Sequence, residues 1–228
     1  MKLLTKTLAC AGLALASTVA IAPAAAQVEG RIATADISLA IINTTALQNA
    51  YNQITTTYQV QIDTRRAKQE ELSGLLQPFD SNGNGQLDES ELPAVQASPN
   101  FTRIQTLEAE VAAITSQVNG ARVYAVEQIL AQYPTALTDV TTQQQIVAVF
   151  QPANVQFVAE GADITGLVTT ALNTRVPSVA IVPPADWRPS RNAATIFQEI
   201  QQYLLAAQIQ QQQEAAQQQP ATQTPAGR

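Results

Sequence analysis

Ile104, Val111, Val118 and Ala125 stand seven residues apart, and Leu107, Ile114 and Ala121 fill the alternate positions between them. A heptad stripe sustained over three repeats makes only one side of a helix apolar, so that helix must lie along a partner. A partner stands upstream. Leu47, Tyr51, Ile54, Tyr58 and Ile62 recur at helical spacing, and Leu72, Leu75 and Leu76 follow after a polar middle. Asn43, Thr44 and Thr45 offer N-cap residues, so a first helix is expected over about residues 44–76, roughly 50 Å long. Gly74 and Pro78 read as its stop, because proline lacks the N–H for the carbonyl four residues back and crowds it. Ser98 reads as the N-cap of the second helix and Pro99 as its first position. That helix is expected to reach about Tyr133, where Pro134 kinks or shortens it. Two long helices with a short connection form an antiparallel hairpin. Alanine and threonine dominate its faces, so it buries little by itself and is expected to need partner chains.

The connection is "DSNGNGQLDESE", residues 80–91. It satisfies the calcium-loop pattern D-x-[DN]-x-[DN]-G-x5-E at every position. Asp80, Asn82 and Asn84 would give side-chain oxygens, Gln86 its carbonyl, Asp88 an oxygen directly or through water, and Glu91 two oxygens. Gly85 permits the sharp turn. Only Asp80, Asp88 and Glu91 bring charge, Pro78 and Pro93 shorten the flanking helices, and no second loop stands nearby to pair with it. Weak Ca2+ binding is therefore expected, with a Kd on the order of 10⁻⁴ to 10⁻³ M. The competing reading is an Asx- and glycine-rich turn that only reverses the chain.

Residues 31–42 ("RIATADISLAII") alternate as a short strand. Ile146 to Phe150 and Val155 to Val158 are β-branched runs separated by "QPAN" and read as a β-hairpin. Asp163 caps a short helix bearing Ile164, Leu167, Val168, Ala171 and Leu172 on one face, and "SVAIV" suggests a last strand. The helical hairpin returns the chain to its start, so the strands can meet in one small sheet. The expected class is α+β, with a coiled-coil arm over residues 44–141 projecting from a β body made of residues 31–42 and 145–182. From residue 189 to 228 a Gln/Ala-rich tail follows, its first part helical and its end disordered. Tyr51 and Tyr58 read as fillers of the interhelical seam, with a binding cavity as the alternative. Trp187 reads as a surface or tail-docking residue.

Residues 1–26 carry Lys2 and Lys6, an apolar run and Ala24-Ala25-Ala26, which is a secretory signal peptide cut near Ala26. No later run is long enough to span a bilayer, so no stable membrane insertion is expected after its removal. Those residues hold two of the 12 basic side chains, none of the 18 acidic ones and the only cysteine, leaving a net charge of −8. Without Cys or His, Ser-His-Asp and Cys-His catalysis and the usual zinc and haem ligand sets are excluded, and no enzyme is expected. With charged residues at 13% and no basic patch beyond Arg65, Arg66 and Lys68, nucleic-acid binding is not expected.

The "IATADISLAI" opening, the helical hairpin and "IVAVFQPANVQFVAEGADITGLVTTALNTRV" together resemble the Skp/OmpH family of periplasmic chaperones. The resemblance spans about Ile32 to Val176 within a domain of residues 27–188. Asp163, Ile164, Thr165, Val168 and Leu172 match the family's pattern. It implies a homotrimer whose arms enclose unfolded outer-membrane proteins in the periplasm, holding them without ATP. Two departures stand out: family arms are often basic whereas this chain is acidic, and the loop at residues 80–91 is not required by the family pattern. The alternatives are a periplasmic EF-hand calcium-binding protein and a structural coiled-coil protein of the envelope.

Overall fold

The computed structural model describes residues 30–159 and 161–218. The expected signal peptide and the end of the tail lie outside them. Strand β1 covers Arg31–Thr34 only, and residues 37–42 of the expected strand are instead helix α1, Ile37–Ile42. The Asp36 carboxylate ends the strand by accepting the Leu39 N–H at 2.8 Å, as an N-cap does. Thr44 caps the next helix in the same way, through the Leu47 N–H at 3.3 Å.

The first long helix is present as α2, Thr45–Thr57, and α3, Gln59–Leu76. Its ladder is only locally deformed at Tyr58, which still donates to Ile54 and accepts from Ile62 at 2.9 Å. Thr55 and Thr56 bond back to the carbonyls of Tyr51 and Asn52 just before it. Gly74 does not stop the helix, and Pro78 sits in a 3₁₀ turn, Gln77–Phe79, that closes it. After the loop come a single turn α4, Leu92–Gln96, and the 30-residue α5, Phe101–Leu130. The N-cap position of α5 is Asn100, two residues after the expected Ser98. The Ser98 hydroxyl instead accepts the Asn100 N–H at 3.1 Å, so it orders the turn before the helix. Pro134 separates α5 from α6, Tyr133–Gln143, where it occupies the tolerated first turn.

Strand β2, Ile146–Phe150, pairs with β1 in parallel, Ala33 opposite Val149 and Thr34 opposite Phe150. The expected hairpin with Val155–Val158 does not form. A 3₁₀ turn at Pro152–Asn154 follows β2, and the Val155 run stays irregular. The other edge of β1 is taken instead by residues 162–164: Thr34 donates to the Ala162 carbonyl and accepts from Ile164, both at 2.9 Å. Asp163 then accepts the Thr165 N–H at 2.9 Å and leads into α7, Thr165–Arg175.

"SVAIV" is not a strand. Its backbone is tied to α5 by Gln128, whose amide accepts from Ala180 N–H at 3.0 Å and donates to the Ala180 carbonyl at 2.9 Å. Trp187 continues this strap. Its indole donates to Glu127 at 2.6 Å, and its ring meets Tyr124 edge-on at 5.2 Å. The stretch expected as a tail is α8, Arg191–Gln218, and its first half belongs to the core: Ala193 and Ile200 are fully buried.

The main core gathers α1, the start of α2, the end of α5, α6, α7 and α8 around Ile41, Leu47, Ile129, Leu172 and Ile200. Along the hairpin it thins to Ile54, Tyr58, Val118 and Ala121. Tyr58 is buried there and Tyr51 half-buried beside it, so both fill the seam between α2 and α5. Farther out α3 has no buried residue and packs on α5 chiefly through Ile104 and Leu107. Arg103–Glu71 and Lys68–Glu110 pairs, at 2.7 and 2.6 Å, bridge the two helices. No helix among the described residues is long and apolar enough to cross a membrane.

Candidate functional site

Two places stand out once the elements are laid down: the loop between α3 and α4 and an apolar groove beside the sheet. The loop follows the 3₁₀ turn and precedes α4. Gly83 and Gly85 take φ of +70° and +77°, the left-handed region that a side chain resists, so each allows a reversal here. Asp80 folds over the loop. One carboxylate oxygen accepts the Asn84 N–H at 3.1 Å and the other the Gly85 N–H at 2.7 Å. Asn82 and Asn84 make consecutive Asx turns, accepting the N–H two residues on at 2.9 and 2.7 Å. Their amide nitrogens both point at Asp88 Oδ2, from 2.6 and 3.5 Å. The side chains at positions 82, 84 and 88 thus converge on one point.

Glu91 closes the loop on itself. Oε1 accepts from the Ser81 N–H at 2.7 Å and the Ser81 hydroxyl at 2.6 Å, while Oε2 accepts the Asp88 N–H at 3.0 Å. The last contact is half of a capping box, with Glu91 three residues beyond Asp88. These bonds, the Ser81 hydroxyl first and then the backbone N–H groups of Asp88 and Ser81, hold the Glu91 carboxyl below its ordinary range. Glu91 is a buried carboxylate at the end of an otherwise exposed loop. The sequence reading missed Ser81, the residue that holds Glu91. Its signal was its place directly after Asp80, opposite the loop's closing acid. Gln86 is exposed and donates its N–H to Asn84.

The chemistry of these donors suits a hard cation, since carboxylate and amide oxygens are its natural ligands. The arrangement is nevertheless satisfied without one. Among the described residues no three His, Cys, Asp or Glu side chains come together as a metal-binding group. Asn82 and Asn84 would have to rotate their amides so that oxygen, rather than nitrogen, meets the point marked by Asp88.

Beside the loop, Leu72, Leu76, Leu87 and Val111 line a depression of about 750 Å³ shared by α3, α5 and the loop. The second place lies on the body. Ile32, Phe150, Val155, Phe157 and Val158 line an open groove of about 530 Å³. Phe157 is 82% exposed and Ile32 61%, so large apolar side chains stand in water next to a two-stranded sheet. The two β-branched runs that carry this patch were visible in the sequence. The failure of Val155–Val158 to pair with Ile146–Phe150, which leaves Phe157 and Val158 exposed, was not.

No family model matches the chain, and no curated protein matches it. Among solved structures, a crystal structure from Caulobacter crescentus described as an OmpH-like outer membrane chaperone is similar, at 13% identity and a TM-score of 0.41. The similarity covers 70% of this chain and 94% of that one.

Proposed function

We propose that this chain is an ATP-independent holdase of the Skp/OmpH type, acting in the periplasm on unfolded outer-membrane proteins, with a cation-binding loop at the end of its arm. The single observation that carries the reading is a two-helix arm that leaves a small sheet body bearing exposed apolar side chains. Arm and body ask for different partners. The groove of Ile32, Phe150 and Phe157 is a strongly apolar surface to leave in water, and association into a homotrimer would cover it. The arm presents small and weakly apolar side chains with a thin core, a surface that tolerates many sequences rather than selecting one. Unfolded β-barrel precursors expose alternating apolar residues and aggregate readily, so a protein that only encloses them needs no catalytic group.

The loop supports the cation part of the reading through the convergence of the residue 82, 84 and 88 side chains below Asp80. Asp80, Asn82, Asn84, Asp88 and Glu91 with the Gln86 carbonyl would hold the ion, which would stiffen the turn joining α3 to α4. A second reading, a calcium-binding protein that uses the arm only to present its loop, is favoured by the full match of residues 80–91 to the calcium pattern.

The experiment that tests the reading follows the aggregation of a urea-unfolded outer-membrane protein diluted with and without the mature chain. Each arm is run in calcium and in chelator. The holdase reading expects suppression in both. Equal aggregation with and without the protein removes it, and calcium binding without suppression leaves the second reading.

A further inference from the structure

The loop contains two consecutive Asn-Gly dipeptides, Asn82-Gly83 and Asn84-Gly85, lying between Asp80 and Asp88 on the same exposed turn. Asn-Gly is the dipeptide at which an asparagine amide is most easily lost, because a glycine backbone nitrogen approaches the side chain without steric hindrance. The two copies are identical in sequence. They differ in one contact. The Gly85 N–H is held by Asp80 Oδ2 at 2.7 Å, whereas among the described residues no acceptor pairs with the Gly83 N–H. Both asparagine side-chain oxygens accept a backbone N–H, so both carbonyl carbons are polarised alike. Space does not separate them either, since beyond the flanking residues no atom lies within 4 Å of where a side chain at Gly83 or Gly85 would begin.

We propose that Asn82 is a self-modifying deamidation site and that Asp80 keeps Asn84 inert. Base removes the proton from the Gly83 backbone nitrogen. That nitrogen attacks the Asn82 side-chain carbonyl carbon, the new C–N bond closes a five-membered succinimide, and the amide nitrogen leaves as ammonia. Water then opens one or other carbonyl of the ring, giving aspartate or isoaspartate at position 82. No oxidant, reductant or enzyme is needed. At Gly85 the same first step would strip a proton that is shared with a carboxylate and create a second negative charge beside it, which is unfavourable. The consequence for the loop is local. Asn82 donates to Asp88 Oδ2 at 2.6 Å, and after conversion two carboxylates face each other there.

The inference is independent of cation binding and is tested without added metal. The full chain is held at mildly alkaline pH, sampled over days, digested and mapped by mass spectrometry for the amide-to-acid mass change at each position. Asn82 is expected to convert about tenfold faster than Asn84 or more, the ratio that one charge-assisted hydrogen bond supplies. In Asp80→Ala the ratio of the two rates is expected to approach one, because Asn84 speeds up. Gly83→Ala is expected to slow Asn82 and leave Asn84 unchanged. Equal rates in the native chain overturn the proposal. So does an Asp80→Ala protein in which both rates rise together and their ratio holds, since that signals general loosening.

Discussion

Ile200 in α8 is fully buried against the main core, whereas Leu205, little more than one turn later, is 58% exposed. Replacing each by alanine separates a helix that belongs to the body from one that is an appended tail. Alanine is the best helix former, so neither change harms the helix itself. Ile200→Ala removes a buried side chain and leaves a cavity that the packed elements around it fill only in part. Such changes cost about 2–5 kcal/mol, and a fully enclosed site such as this one belongs near the middle, about 3 kcal/mol. For a chain of this size about 1 kcal/mol moves Tm by roughly 2–4 °C, so a fall of about 6–12 °C is expected. Leu205→Ala belongs with surface changes, within about 0.5 kcal/mol, or at most ~2 °C. Thermal unfolding followed by circular dichroism measures both, at one fixed protein concentration because association shifts Tm. If Ile200→Ala moves Tm no more than Leu205→Ala, α8 is not part of the body and the core described above is wrong.

Asp80→Ala and Glu91→Ala are each expected to abolish calcium binding in calorimetry, with the native loop expected to bind at a Kd on the order of 10⁻⁴ to 10⁻³ M. Because the folded Glu91 carboxyl titrates below its ordinary range, its contribution to stability is complete above the unfolded carboxyl pKa of about 4.3 and is lost as pH falls through the folded value. Ser81→Ala removes the largest cause of that depression, so the Glu91 midpoint in an NMR titration should move up; an unchanged midpoint would refute the role given to Ser81. Trp187→Phe keeps the ring near Tyr124 but deprives Glu127 of its indole donor, so faster hydrogen exchange is expected over residues 176–190 with little change in α5. Phe157→Asp puts a charge in the groove beside the sheet, and light scattering should show the proposed trimer reduced to a single chain without loss of helix content.

The helical hairpin was legible because its signals are local and redundant. The heptad from Ile104 to Ala125 describes the α5 seam, and Thr44 caps α2 where a cap was expected. Asp163 before α7 was equally readable. The body was not. Ile32, Thr34 and Asp36 alternate as a strand does, and only the return of the Asp36 carboxylate to Leu39 N–H marks the turn into α1. Val155–Val158 has the composition of a strand, yet β2 pairs with β1, more than a hundred residues away, and residues 162–164 take the edge of β1. Pairing of that kind depends on tertiary contacts that β propensity does not encode. In α8 the glutamines hid a short buried stripe. Ala193, Ile196 and Ile200 fall at i, i+3 and i+7, a narrow buried face with Phe197 packed beside it.

As proposed, three copies of this chain together hold one unfolded outer-membrane protein without ATP. The native mass of the species formed when a urea-unfolded outer-membrane protein is diluted into the mature chain, in ATP-free buffer, tests it most directly. A soluble complex of one client with three copies is expected. Client found only in the pellet, with the protein left at the mass of a single chain, would contradict it.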